Sequence, residues 1–436
     1  MDEIKILEIL NRWNFWKEEK DTGIERGGYI DKGIRFLRSN VIIAIIGVRR
    51  SGKSFIMRQI ARHLIGSNSA RDTLIVDFED PELEGSDSET LNKIYEVYVK
   101  ELSPTRPIIF LDEIHIVTNW EKWVRMMHEL GKARIFISGS SSKLLSGELS
   151  TVIAGRHLDI RVFPLSFNEF LDFRGIEIED MLDIVDKRFE IERSIKEYLE
   201  FGGFPEVVLS ENKRELLTNY WKDIIYRDVI LRFKIRKIEH FRSLGRFYLT
   251  NISSPITFNR ISKFLGISDD TVETFSRYLV ETFSIFFVKR FSFSLREQEN
   301  SPRKVYSIDN GLSNAIGFRF SDNFGRLMEN LVAIELKRRG KEVYYWKDYQ
   351  QREVDFVVKD GLNVKELIQV CYDIEDFTTK ERELKALVKA SKELKCKNLK
   401  VITWDYEAKE EFKNKRIEFI PLWRWLLNKN LNFCSL

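Results

Sequence analysis

The residues best suited to chemistry form a glycine-bounded loop near the start of the chain. An apolar, strand-like run, Val41–Ile46, leads into Gly47, Val48, Arg49, Arg50, Ser51, Gly52, Lys53 and Ser54. The spacing GxxxxGKS is that of a phosphate-binding loop, in which backbone N–H groups and the start of the next helix face a nucleotide phosphate. Lys53 is then predicted to contact the β- and γ-phosphates, and Ser54 to bind Mg²⁺.

Two adjacent carboxylates complete the predicted nucleotide site. Asp112 and Glu113 directly follow the apolar run Ile108–Leu111. At the carboxyl end of a buried parallel strand, Asp112 is expected to hold Mg²⁺ through water, and Glu113 to act as the general base that polarises an attacking water. A base in this position predicts hydrolysis of the nucleotide rather than binding alone.

The segments around these residues alternate between strand-like and helical patterns. Thr73–Phe78 and Ala133–Ser138 are two further apolar runs of strand length. Alternating strands and helices favour a parallel sheet, so the predicted fold class of this region is α/β.

With these motifs in view, the chain resembles the P-loop AAA+ ATPases, specifically archaeal and bacterial members with a GVRRSGKS loop and an LDEIH strand. The stretch ISGSSSKLL is similar to their sensor 1 segment, and AGRHLDIRVFPLSFNEFL to the signature that follows it. The resemblance implies ATP as the nucleotide, Ser140 as a γ-phosphate or water sensor, and Arg156 as an arginine finger acting across a homo-oligomer. A structural salt bridge is the alternative role for Arg156.

The resemblance continues beyond the ATPase core. Tyr198–Pro205 ends in GGFP and resembles the start of the family's helical lid, where two glycines before Phe-Pro imply a sharp bend. The predicted organisation is an ATPase core over 1–170, a helical lid over 171–238, a winged helix over 239–318 and a C-terminal α/β nuclease-like domain over 319–436.

The predicted winged helix rests on helix-turn-helix spacing in Ile256–Ser268, followed by strands over 283–293 and 304–308. Its presumed recognition helix, residues 268–282, carries four acidic residues and one basic residue, which disfavours major-groove contact. The wing, residues 285–305, has five basic and two acidic residues and suits phosphate contact, as does the basic stretch 229–246. A protein-docking winged helix and a solvated basic helix are the alternatives.

The C-terminal region resembles the PD-(D/E)XK nucleases. Its pattern is a helix followed by strands over 343–346, 353–358 and 367–370. The resemblance implies Glu329, Asp355 and Gln369 as ligands of a second Mg²⁺. Cys371 stands where the family has its lysine, so a degenerate nuclease fold kept for binding is the alternative.

Composition limits the class of protein. The 436 residues carry a net charge of +3, which excludes a uniformly basic nucleic-acid coat and confines any DNA contact to local patches. No apolar run approaches the roughly 20 residues of a membrane span, and the first residues lack a signal-peptide pattern. Three cysteines, Cys371, Cys396 and Cys434, form no disulfide framework, so a reducing, cytoplasmic location without membrane contact is expected.

Three functions follow, in order of preference. The first is an ATP-hydrolysing AAA+ protein that couples its nucleotide site to movement of its C-terminal domains on DNA. The second is a nucleotide-controlled switch that docks protein partners through a degenerate nuclease domain. The third is an ATP-dependent, structure-specific DNA nuclease.

Overall fold

The computed structural model describes residues 2–66, 68–140, 155–318 and 324–427. The chain divides into two compact units, one formed by residues 1–163 with 281–283 and the other by 164–280 with 284–436. No helix in the described ranges combines the length and apolar character needed to cross a membrane. The four domain boundaries predicted from the sequence stay predictions.

The first unit is built on a five-stranded sheet in the order β2-β3-β4-β1-β5, with every neighbouring pair parallel. The strands are β1 Ile42–Gly47, β2 Thr73–Asp77, β3 Ile108–Asp112, β4 Arg134–Gly139 and β5 His157–Val162. All residues of β1 and β3 are buried, because helices cover both faces of a parallel sheet. The predicted α/β fold with a parallel sheet is confirmed.

The helices of this unit are Glu3–Trp13, Gly27–Leu37, Lys53–Ile65, Ser88–Leu102 and Trp120–Glu129, with short 3₁₀ turns at Ala70–Asp72, Pro81–Leu83 and Ile114–Ile116. Ile56 and Ile60 of the third helix pack with Ile43 and Ile45 of β1 in one apolar core. The loops that follow β1 and β3 leave the same edge of the sheet, which brings the two predicted motifs together.

The second unit begins with a helical region. Its helices are Phe167–Phe173, Met181–Asp186, Arg188–Phe201, Pro205–Leu209, Lys213–Asp223, a π-helix Ile224–Leu231, and Ile238–Thr250. The predicted bend is present, since Gly202 has φ of 74° and ends one helix while Pro205 begins the next.

Helices Phe258–Leu265 and Asp269–Glu281 follow, separated at Gly266, which has φ of 68°. The strands β6 Ser254–Ile256, β7 Ile285–Val288 and β8 Arg303–Ser307 form an antiparallel sheet in the order β6-β8-β7, with a short helix, Leu295–Asn300, between β7 and β8. The strand predicted over 283–293 is therefore shorter than expected. The elements follow the predicted chain order, and their assignment as a winged helix stays a prediction.

The C-terminal part of this unit carries a mixed six-stranded sheet in the order β13-β14-β12-β11-β10-β9. Its strands are β9 Glu342–Lys347, β10 Glu353–Asp360, β11 Asn363–Cys371, β12 Leu399–Thr403, β13 Ala408–Phe412 and β14 Lys415–Pro421. The helices are Asn310–Ile316, Phe324–Arg338, Phe377–Glu393 and Leu422–Leu427. The three strands predicted here are confirmed, and the nuclease-like assignment stays a prediction.

Candidate functional site

The predicted phosphate-binding loop joins β1 to helix Lys53–Ile65, and its backbone requires the glycines of the motif. A Cβ atom on Gly47 would lie 2.1 Å from the carbonyl oxygen of Val162 in the adjacent strand. Gly52, at the helix N-terminal cap, has φ of 94°, a conformation that glycine adopts without steric cost. The loop therefore owes its shape to both glycines.

Two polar side chains of this loop are suited to a phosphate. Lys53 is buried, and its Nζ atom lies 3.4 Å from Oε1 of Glu113. The Oγ atom of Ser51 is also buried, and it has no hydrogen-bond partner within the described part of the chain. Because an unsatisfied buried hydroxyl costs free energy, a ligand oxygen at this loop would be stabilising.

The carboxylate of Asp112 ends β3 and faces two serines. The hydroxyl of Ser138, on neighbouring β4, donates to Oδ1 of Asp112 and accepts the backbone N–H of Glu113 at 2.9 Å. The side chain of Ser54 also faces Asp112 and opposes the rise in the pKa of Asp112. Burial and the charge of Glu113 raise the pKa of Asp112, so a cation here would offset concentrated negative charge. Ser54 and Asp112 thus supply the oxygen ligands that fit Mg²⁺.

Glu113 is held between donors and positive groups. Its Oε2 atom accepts the backbone N–H of Ser140 at 3.1 Å and lies 3.2 Å from Nδ1 of His115. Burial by itself raises the pKa of Glu113, but Lys53 and His115 outweigh burial and hold that pKa well below its ordinary value. The carboxylate is therefore ionised, which is the form that accepts a hydrogen bond from water.

The two residues named by the family resemblance lie in different places. Ser140 is buried and meets Glu113 through its backbone, whereas Arg156 immediately precedes β5, where its carbonyl oxygen accepts the N–H of Ile42. Ile42 is the first residue of β1 and the loop follows its last, so Arg156 lies at the opposite end of the sheet. Its guanidinium pairs with Glu129. Residues 141–145 of the predicted sensor segment lie outside the described ranges.

The two arginines of the loop, Arg49 and Arg50, have different environments. Arg49 pairs with Glu79 at 2.9 Å. Arg50 is exposed and has φ of 68°, which places a residue other than glycine in the left-handed region. The sequence motif predicts that both residues line the loop, and it gives no indication of these separate environments.

Three residues of the site were not predicted from the sequence. Ser138 links both carboxylates, His115 faces Glu113, and Arg26 donates to the carbonyl oxygens of Ser51 and Phe163 at 2.9 and 3.1 Å. For Ser138, the available signal was a serine at the end of the predicted strand Ala133–Ser138, which neighbours the strand of Asp112. Arg26 gave no local signal, because it precedes the loop by more than 20 residues in sequence.

The predicted second metal site contains a lysine ammonium. Glu329 and Asp355 lie together, but Nζ of Lys304 stands 2.8 Å from Oε1 of Glu329 and 2.9 Å from Oδ1 of Asp355. The same Nζ lies 2.6 Å from Oε1 of Glu353. Lys304 belongs to the wing predicted over 285–305, and no sequence pattern indicated a role for Glu353.

The remaining predicted residues of this site do not add metal ligands. Gln369 accepts the backbone N–H of Asp355 at 3.3 Å and donates to Glu383 at 2.7 Å. Burial and Glu383 raise the pKa of the Cys371 thiol to about 12, so the thiol is neutral. Across the described ranges, no group of three or more His, Cys, Asp or Glu side chains is arranged to hold a metal ion. The residues present therefore do not fit the second Mg²⁺ that the resemblance implies.

Three of the five cations in the predicted wing make contacts within the chain, and phosphate contact by the wing stays a prediction. Lys304 is buried, Lys289 pairs with Glu299 at 2.5 Å, and Arg290 donates to the carbonyl oxygen of Lys347. The cause is packing, since the segment after β7 is hydrogen-bonded along β9 through Tyr345.

Comparison with known proteins divides the chain into three matched regions. Residues 39–171 match the family described as AAA domain. Residues 192–323 and 324–425 match two families described as domains of unknown function, DUF8612 and DUF4143.

Two full-length relatives are similar over most of the chain. The uncharacterized protein MJ1544 of Methanocaldococcus jannaschii is 37% identical over 405 residues, which cover 89% of this chain and 88% of the relative. An uncharacterized protein of Haemophilus influenzae is 29% identical over 415 residues, which cover 93% of this chain and 98% of the relative. Among solved structures, Cdc6p from Pyrobaculum aerophilum aligns with 12% identity and a TM-score of 0.29, covering 70% of this chain and 96% of that one. A likeness at that score supports no functional argument.

Proposed function

Because the chain belongs to the protein family of MJ1544 and carries an AAA domain over residues 39–171, we propose that it is an ATPase that hydrolyses ATP with Mg²⁺. The observation that carries the proposal is the convergence of Lys53, Ser54, Asp112 and Glu113 at one edge of the parallel sheet. Adenine as the base rests on the match to the AAA domain.

The roles of the binding residues follow from their chemistry. The backbone of the loop and Lys53 would bind the phosphates, and the buried Ser51 hydroxyl would gain a partner. Ser54 and Asp112 would hold Mg²⁺, which neutralises charge that develops on the phosphates. Arg26 would keep the loop in shape, because its guanidinium ties the carbonyl oxygen of Ser51 to that of Phe163.

Glu113 would orient and polarise the attacking water. Lys53 contacts Glu113 in this structure, and a bound phosphate would compete for the same ammonium. ATP binding would thereby release the carboxylate toward water while His115 and the N–H of Ser140 keep it positioned. Arg156, at the far end of the sheet, would reach a nucleotide only from a second copy of the chain, so its role as a finger requires a homo-oligomer.

We further propose DNA as the substrate on which the ATPase acts. The support is the basic stretch 229–246, in which the exposed cations include Lys234, Arg236, Lys237 and Arg246. Such a surface suits sequence-independent phosphate contact whose affinity falls steeply with salt. A cytoplasmic location is part of the same proposal.

The experiment is an ATPase measurement on wild type, Glu113→Gln and Glu84→Gln. Glu84 is an exposed glutamate of the same unit and serves as the matched control. We expect Glu113→Gln to lower the rate by about a hundredfold or more while ATP still binds, because general-base catalysis contributes roughly that much. Glu84→Gln should match wild type. Equal rates for all three proteins would refute Glu113 as the base.

The same assay tests DNA when single-stranded, duplex and branched DNA are added. Stimulation that declines with salt and is absent in Glu113→Gln supports the DNA proposal. An unchanged rate with every DNA, together with no salt-sensitive binding, contradicts it.

A second candidate function is a nucleotide-controlled docking switch for protein partners. Two observations favour it over a nuclease: the lysine among the C-terminal carboxylates, and the acidic residues of helix Asp269–Glu281. A pull-down that retains a protein partner only with ATP, in a protein that binds no DNA, would favour this candidate.

A further inference from the structure

The carboxylates of the C-terminal sheet are gathered around one buried ammonium. Lys304 lies on β8, Glu329 on helix Phe324–Arg338, and Glu353 and Asp355 on β10, so three elements contribute to one cluster. The lysine side chain is 1% exposed, and its Nζ lies within 2.9 Å of an oxygen of each of the three carboxylates.

The ammonium has no donor left for a substrate. A lysine ammonium carries three N–H donors and no acceptor. Its three short carboxylate contacts match that number. A lysine acting on a scissile phosphate needs a free donor and access to solvent, and Lys304 has neither.

Five of the six carboxylate oxygens have a partner without a metal. The hydroxyl of Tyr306 donates to Oε1 of Glu329 at 2.7 Å, and the backbone N–H of Val370 donates to Oδ2 of Asp355 at 3.0 Å. Lys347 pairs with the other oxygen of Glu353 at 3.3 Å. A divalent ion bound by Oε1 of Glu329 and Oδ1 of Asp355 would have to replace the ammonium, since both cations would need the same two oxygens and carry like charge.

We propose that Lys304 is the resident cation of this cluster, taking the place that a divalent metal has in a nuclease of this fold. The C-terminal sheet then binds no metal at Glu329 and Asp355 and does not cut nucleic acid. Lys304 instead ties β8 to β10 and to helix Phe324–Arg338. This inference does not depend on ATP hydrolysis, so its test and that of the ATPase proposal fail separately.

The experiment compares Mn²⁺ binding by the full chain without nucleotide, with free Mn²⁺ followed by electron paramagnetic resonance. The proteins are wild type, Asp355→Asn, Lys304→Met and the double variant. Methionine keeps the length of the apolar stem and removes the charge. Asp355→Asn assigns any bound ion to this cluster rather than to the nucleotide site.

We expect wild type and Asp355→Asn to bind Mn²⁺ identically. Lys304→Met should bind one additional Mn²⁺ ion per chain at this cluster, at least tenfold more tightly than wild type binds Mn²⁺ at the cluster. The double variant should not bind that additional ion. A folded Lys304→Met protein that gains no ion overturns the proposal. So does a wild-type ion that Asp355→Asn removes.

Two further outcomes are decisive. Mg²⁺-dependent DNA cleavage by wild type that disappears in Lys304→Met would make Lys304 a catalytic lysine and overturn the proposal. Circular dichroism shows whether Lys304→Met folds. If it does not, Mn²⁺ binding by wild type and by Asp355→Asn still tests the proposal, because Asp355→Asn loses an ion only if the wild-type cluster holds one.

Discussion

At the scale of single residues, the nucleotide site depends on how Ser138 holds two carboxylates. Its hydroxyl donates to Asp112 and accepts the backbone N–H of Glu113 at 2.9 Å, so one oxygen fixes the positions of both acids. Glu113 has φ of 49°, a backbone conformation that its surroundings must stabilise. Ser138 supplies one of those stabilising bonds and is therefore a positioning residue.

We predict that Ser138→Ala lowers the ATPase rate by about tenfold, because losing hydrogen bonds to a charged group and a buried N–H costs about 1–3 kcal/mol. The matched control is Ser391→Ala, which removes another buried hydroxyl, one that donates to the carbonyl oxygen of Cys396 at 2.6 Å in the other unit. Rates and urea unfolding of both variants are to be measured. Equal rates for Ser138→Ala and Ser391→Ala would show that Ser138 only stabilises the fold.

The residues of the loop were predictable because their chemistry is encoded within eight consecutive positions. Asp112 was predictable for a similar reason, since it closes an apolar run of strand length. Arg26 and Lys304 were not, because each acts on residues distant in sequence. In the sequence, Lys304 follows Arg303 and therefore resembles part of a solvated basic face. Only tertiary packing shows that Lys304 is buried among carboxylates.

At the scale of elements, the strands were predictable where the pattern is apolar throughout. Four of the five parallel strands follow from such runs and from the helices between them. The fifth, β5, alternates apolar residues with His157, Asp159 and Arg161, and it was not predicted. The hairpin of β7 and β8 was predicted too long, because the residues after β7 pair with β9 instead of continuing the hairpin. Pairing of that kind joins segments more than 50 residues apart and leaves no local trace in the sequence.

The bend between helices Arg188–Phe201 and Pro205–Leu209 gives an element-scale prediction. Gly202 has φ of 74° and ψ of −160°, and a Cβ atom there would lie 2.0 Å from Oδ1 of Asp309. Gly202→Ala should therefore destabilise the protein by about 3 kcal/mol, through backbone strain and the clash together.

The control for that substitution is Gly175→Ala. Gly175 has φ of 72°, but a Cβ atom there would meet nothing within 4 Å, so only the conformational cost of about 1 kcal/mol applies. Urea unfolding monitored by circular dichroism measures both. Similar midpoints for the two variants would contradict a specific role for the contact with Asp309.

At the scale of the whole molecule, this contact links distant parts of the second unit. The carboxylate of Asp309 accepts the N–H of Gly203 at 2.7 Å and that of Leu312 at 3.3 Å, and so joins the bend to the start of helix Asn310–Ile316. These partners are more than 100 residues apart in the chain. Because the carboxylate of Asp309 joins these two buried segments, we expect its protonation state to affect the free energy of unfolding of the whole unit.

Burial raises the pKa of Asp309 to about 6, against the opposing hydrogen bonds from Gly203, Leu312 and Gly311 and the charge of Arg338. Since the pKa is higher in the folded than in the unfolded chain, the folded state binds more protons between about pH 4 and 6. Stability contributed by this group is therefore greatest at low pH and falls as the pH rises through that window, by about 3 kcal/mol in total.

We predict that Asp309→Asn removes this fall, because an amide does not ionise, whatever its effect on absolute stability. Asp376→Asn is the control: Asp376 also caps a helix, but hydrogen bonds from Thr379 and Thr378 lower its pKa to about 2. Urea unfolding at several pH values from 4 to 8 gives the slope for each protein. Asp376→Asn should keep the wild-type slope between pH 4 and 6. Asp309→Asn should make that slope less steep, while Asp77 and Glu329, whose pKa values burial also raises, contribute the remainder. A wild-type slope in Asp309→Asn would mean that other carboxyl groups control the pH dependence, and that the bend is held equally well by either protonation state of Asp309.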